Sequence, residues 1–283
     1  MDVTTFTAHR RSLTTPGGEI AYTEIGTGPA ALFVHGLATS SVLWSNVIDK
    51  VAGTTRCVAI DLPAHGGTPP RDDASVSAMA EVVAELWDAL ALGQVDLVAN
   101  DTGGAIAQIF AARYPHRLRS LALTNCDTEG NFPPAEFVPM VEAARQGQIA
   151  EQAVALFNDP ASWAAGPLSF GYENPAAVPQ EVLRDYLTPI ASTMDRARAF
   201  ERVIAALDPA DLSAVSGALR MLEVPTLLIW GTGDEAFGVK WAYQLRDTIP
   251  GVRDLIEVDG AKTFFPFERS DDLAKHLRNF WGR

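Results

Sequence analysis

The chain has 283 residues, 47% hydrophobic and 20% charged, with 22 Gly and 18 Pro. That balance excludes fibrous, collagenous and disordered classes, and the length suffices for one large core. The net charge of −13 repels phosphate backbones and anionic lipid, so neither nucleic acid nor a membrane surface is an expected partner.

Taken in chain order, the opening MDVTTFTAHRRSL lacks an apolar signal core. No stretch approaches 18 uninterrupted apolar residues, so a soluble, cytoplasmic protein is expected. Residues 19–25 (EIAYTEI) alternate like a half-exposed strand. The runs 30–34, 56–61, 95–99, 120–124 and 226–230 are short and apolar, the pattern of strands buried on both faces. Helical patterns at 76–92 and 104–113 fall between them, and this alternation predicts a mostly parallel sheet with crossover helices. Cys57 and Cys126 are too few for a disulfide framework and lie in or beside apolar runs, which predicts buried, reduced thiols.

The alternation breaks after Asp127 and resumes at EVPTLLIW. The intervening stretch has helical periodicity at 182–187 and 196–207 and no convincing strand. The expected organisation is a core of residues 1–127 and 218–283 with a helical cap, or lid, inserted at 128–217. Loops at the carboxyl ends of parallel strands form the ligand crevice, so an insertion there covers the site.

The segment Ala99-Asn100-Asp101-Thr102-Gly103-Gly104 runs from a strand directly into a helix. Small residues two before and two after the central position permit a strained strand-to-helix turn that exposes the central side chain, here Asp101. Alone, Asp101 reads equally as a helix N-cap. The rest of the chain decides between the two. His35-Gly36-Leu37 follows one strand, Asp61-Leu62-Pro63-Ala64-His65-Gly66 another, and Gly231-Thr232-Gly233-Asp234 a later one. In this order the motifs resemble the α/β-hydrolase superfamily over essentially the whole chain. With Asp at the elbow, the sequence is most similar to the haloalkane dehalogenase and epoxide hydrolase branch.

The resemblance implies an α/β-hydrolase fold with an inserted helical lid. It makes Asp101 a nucleophile that forms an alkyl-enzyme ester, and the backbone N–H groups of Leu37 and Thr102 the oxyanion hole. Asp234 matches the acid that orients the catalytic histidine, with Asp127, at the end of the preceding strand, as the other candidate. His35 and His65 match structural positions, with His35 at the substrate side. Tyr172 and Tyr186 lie where epoxide hydrolases carry ring-opening tyrosines, and Trp163 is a candidate pocket residue. No cofactor is implied, since no cluster has metal-ligand spacing and the paired glycines of the elbow match neither a dinucleotide nor a phosphate loop. The expected partner is a small-molecule substrate.

One departure dominates. Where the family places its histidine, after the last strand, this chain reads Asp259-Gly260-Ala261-Lys262-Thr263-Phe264, and the aligned residue is Thr263. A neutral hydroxyl cannot accept a proton from water near pH 7 as imidazole does. Thr102 also stands where dehalogenases have a halide-binding Trp. The expected activity is therefore that of a small-molecule hydrolase acting on an epoxide-like or other apolar electrophile. Two alternatives stay open at this point: a lyase, isomerase or decarboxylase using Asp101 as acid–base, and a binding protein without turnover.

Overall fold

The computed structural model describes residues 1–283. Eight strands form one sheet: β1 (Arg10–Thr15), β2 (Gly18–Ile25), β3 (Ala30–Val34), β4 (Arg56–Ile60), β5 (Val95–Asp101), β6 (Leu118–Cys126), β7 (Thr226–Gly231) and β8 (Val252–Val258). Their spatial order is β1-β2-β4-β3-β5-β6-β7-β8. The pairings β1–β2 and β2–β4 are antiparallel, and the others are parallel.

The apolar runs mark the middle of this sheet. Every residue of β3, β5 and β7 is buried, because helices cover both faces. At the two edges, β1 and β8 are mostly exposed or half-buried, and their charged side chains suit strands that each leave one side unpaired. The strand expected at 120–124 extends to Leu118–Cys126, and the helix expected at 104–113 begins at Thr102. Cys57 and Cys126 are buried and unpaired. No helix is long and apolar enough to cross a membrane.

Strand order places the site. From β3 the chain moves to one side, to β4, and then returns to add β5 on the other side of β3. The connections leaving the carboxyl ends of β3 and β5 diverge there and open a crevice at the sheet's switch point. Leu37 follows β3 and Asp101 ends β5, so both stand at this crevice. Between β6 and β7 the chain forms no strand beyond a single Thr128–Asn131 bridge; helices dominate, chief among them Val138–Arg145, Ala150–Phe157, Gln180–Ala191 and Met194–Ala205. The last two carry their apolar residues at helical spacing: Val182, Leu183, Tyr186, Leu187 and Ile190 in one, Ala199, Phe200, Val203 and Ile204 in the other.

Candidate active site

Asp101 has φ 56° and ψ −136°, outside the regions that side-chain-bearing residues ordinarily occupy. The strain turns the chain from β5 into the helix Thr102–Arg113 within one residue. The neighbours must be glycine for packing reasons. A Cβ on Gly36 would fall 2.4 Å from Asp101 Cβ, and one on Gly103 would fall 2.3 Å from the His35 carbonyl oxygen. Gly36→Ala is therefore expected to push Asp101 out of register, costing about 1–3 kcal/mol by overpacking. The melting temperature should fall accordingly in that variant.

The Asp101 carboxyl is almost fully buried. Its Oδ1 accepts hydrogen bonds from the Thr102 backbone N–H and from the Thr102 hydroxyl, the latter at 3.0 Å. Burial pushes its pKa up to about 7 against these Thr102 hydrogen bonds; the Asp234 charge adds to the rise, and the Leu37 backbone N–H opposes it. The Thr102 backbone N–H thus favours charge on Oδ1 at the floor of the crevice, and the Leu37 backbone N–H also favours the ionised carboxyl.

Above Asp101 lies a cavity of about 790 Å³. Its wall includes Leu37, Thr102 and Asp127 at the sheet end, with Phe137, Trp163 and Phe170 among the residues contributed from between β6 and β7. The lining is mainly apolar and carries no Arg, Lys or His. A site of this size and character suits a small apolar ligand. Trp163 lines it, with its indole N–H donated to the Leu156 carbonyl at 3.0 Å and its ring stacked on Phe157.

Asp234 and Thr263 meet behind this wall. The Thr263 hydroxyl donates to Asp234 Oδ2, which also accepts from Asn125 Nδ2 at 3.2 Å, while Oδ1 accepts from the Phe237 backbone N–H at 2.8 Å. Burial raises the Asp234 pKa, and the Thr263 hydrogen bond opposes the rise. The hydroxyl therefore occupies the acceptor that a histidine would otherwise use. Asn100, next to Asp101, ties the Thr263 carbonyl to the end of β5 at 2.8 Å. Asn100 and Asn125 carry no chemical signature in the sequence, and only tertiary structure shows that they hold these loops.

Four residues of the expected site do not reach the cavity wall: His35, Tyr172, Tyr186 and Thr263. His35 is fully buried, with Nδ1 against the Gly36 carbonyl at 2.8 Å and Nε2 accepting from Leu62 N–H at 3.0 Å. Burial pulls its pKa down to about 3, so it is a neutral structural ring. Tyr172 and Tyr186 are buried together, with Tyr172 packed 4.9 Å from the Phe264 ring that lines the cavity. Thr263 faces Asp234. The remaining histidines also lie off the cavity wall, and both ring nitrogens of His65 are engaged, with the Pro63 carbonyl and the Ala38 N–H.

The family model of the alpha/beta hydrolase fold matches residues 29–268, and the chain belongs to that family. An uncharacterized protein of Mycobacterium tuberculosis is 29% identical over 276 residues, covering 93% of this chain and 77% of that one. A haloalkane dehalogenase of Sphingobium indicum is 37% identical over 112 residues, 38% of each chain. A cis-3-alkyl-4-alkyloxetan-2-one decarboxylase of Shewanella oneidensis is 24% identical over 284 residues, covering 96% of this chain and 87% of that one. Among solved structures, a haloalkane dehalogenase from Bradyrhizobium elkani superposes with a TM-score of 0.81 at 21% identity, covering 96% of this chain and 97% of that one. An epoxide hydrolase does so with 0.80 at 19% identity, covering 96% and 98%. The chain is an enzyme of the α/β-hydrolase superfamily, with a haloalkane dehalogenase among its sequence relatives.

Proposed function

We propose that this enzyme uses Asp101 as a nucleophile toward a small apolar electrophile of epoxide type. The observation that carries the reading is a buried carboxyl on a strained turn, with the Thr102 backbone N–H on its oxygen, opening into an apolar cavity. Attack by the free carboxylate oxygen on carbon forms an alkyl ester. The ester carbonyl oxygen then keeps the Thr102 and Leu37 N–H groups as partners, which stabilise the charge that develops when water adds. A carboxyl with its pKa pushed up to about 7 is still about half ionised at neutral pH, and its ionised form is more basic than an ordinary carboxylate.

The wall of the cavity favours an oxygen leaving group over halide. Thr102 follows the nucleophile, its hydroxyl is directed to Asp101, and the Trp163 indole N–H is already bonded. The names of two relatives point the same way, one to an epoxide and the other to an oxetanone, both small strained oxygen rings. No imidazole serves ester hydrolysis, so release of the ester is the slow step.

The test is incubation with styrene oxide followed by mass spectrometry of the digested chain. The expected result is a styrene oxide adduct on the peptide carrying Asp101, absent in Asp101→Asn. Unmodified Asp101 across a panel of small epoxides and alkyl bromides would remove the nucleophile role.

A further inference from the structure

Asp127 is the group that the nucleophilic reading leaves without work. It ends up beside Asp101 because β5 and β6 are neighbours, and its backbone N–H reaches the Asp101 carbonyl at 3.4 Å. Its own carbonyl accepts from Gln108 Nε2 at 2.8 Å, which fixes the residue from the helix side. The side chain lines the cavity, is 1% exposed, and leaves Oδ1 with no hydrogen-bond partner. An unpartnered buried polar group costs about 1–3 kcal/mol, so a fold retains one where a ligand completes it.

The groups facing Asp127 set its charge. They are the Asp101 carboxyl, the Thr102 hydroxyl and the neighbouring Cys126 thiol, with no cation on the cavity wall. Burial, reinforced by the Asp101 charge, raises its pKa well above the ordinary carboxylate range; the Thr102 hydroxyl opposes the rise. Two carboxyls sharing one enclosed site do not both ionise readily, so one carries the charge and the other the proton.

We infer that Asp127 is the proton donor for ring opening, a role that rests on Asp101 being the nucleophile. The Asp101 carboxylate attacks a ring carbon, and the carbon–oxygen bond breaks. The leaving oxygen takes the Asp127 proton and becomes a hydroxyl. The products are a hydroxyalkyl ester on Asp101 and a carboxylate on Asp127, which regains its proton from solvent. The other donors near the cavity do not serve: the Trp163 indole N–H is bonded to Leu156, Gln152 is an exposed amide too weak an acid to give up a proton, and Tyr172 and Tyr186 lie off the wall.

Two reagents with different leaving groups test this. Styrene oxide needs a proton on its leaving oxygen, whereas benzyl bromide releases bromide without one. In Asp127→Asn, adduct formation at Asp101 by styrene oxide should slow on the order of 10²–10⁴-fold, while benzyl bromide labels within about threefold of wild type. The bromide reaction also reports that the variant is folded and Asp101 reactive. Equal losses with both reagents would make Asp127 a structural residue and overturn the inference, as would an unchanged epoxide rate. A wild-type chain labelled at Asp101 by neither reagent would instead overturn the nucleophile reading, and this role with it.

Discussion

Asp101→Asn should remove covalent labelling and make the protein markedly more stable at pH 8. Burial pushes the Asp101 pKa up to about 7 in the folded chain, against about 3.9 for an unperturbed aspartate. A carboxyl whose folded pKa is raised costs nothing below its unfolded pKa, because it is neutral in both states. The cost grows between pH ~4 and ~7, where only the unfolded chain ionises it, and is constant above that. At 1.36 kcal/mol per pKa unit the interval comes to about 4 kcal/mol, an upper figure for the stability released by a neutral isostere. Asn keeps an acceptor for the Thr102 N–H and tolerates positive φ, so the turn itself is preserved. Melting curves at pH 8 and pH 4 check this: the gain should be several degrees or more at pH 8 and shrink to under about 1 kcal/mol at pH 4. A variant melting no higher than wild type at both pH values would show that Asp101 is not held in a costly state.

The strain and desolvation at Asp101 explain why some of the site is visible in the sequence and some is not. The elbow is legible because the turn demands small residues at fixed offsets, here Ala99 and Gly103, and a Cβ on Gly103 would fall 2.3 Å from the His35 carbonyl oxygen. The central strands are legible because burial on both faces leaves unbroken apolar runs. The edge strands β1 (RRSLTT) and β8 (VRDLIEV) are not, since exposed edges carry charge and blur the pattern. Tyr172 and Tyr186 sit at plausible positions in the chain, but only packing decides that the Phe264 ring, not theirs, forms the wall. Asn100 and Asn125 act through tertiary hydrogen bonds with partners more than 100 residues away, for which local sequence holds no signal. Asp127 is visible as an acid at the end of a strand. Its unpartnered oxygen and the cation-free wall around it emerge only in three dimensions.

Thr263→His is the substitution expected to convert a slow ester into a turning-over enzyme. The Thr263 hydroxyl already donates to Asp234 Oδ2, and its carbonyl is held by Asn100 beside Asp101. An imidazole grown from the same Cα inherits that acceptor for its Nδ1–H, which fixes the tautomer and leaves Nε2 as a base on the side of the Asp101 ester. Supplying a general base to a reaction that lacks one contributes on the order of 10²–10⁴-fold. Thr263 is fully buried, so the larger ring also costs about 1–3 kcal/mol of stability by overpacking. The measurement is the lifetime of the styrene oxide adduct on Asp101, followed by intact-protein mass spectrometry in water enriched in oxygen-18. In wild type the adduct should persist; in Thr263→His it should decay with one labelled oxygen entering the Asp101 carboxyl, because water attacks the ester carbonyl. Adding Asp234→Asn should abolish the gain, since the amide N–H group favours the wrong tautomer of the ring. An adduct that outlasts the wild-type one in a folded Thr263→His chain would mean that the ring does not reach the ester. An adduct that already decays rapidly in wild type would mean that the active site carries a base other than imidazole.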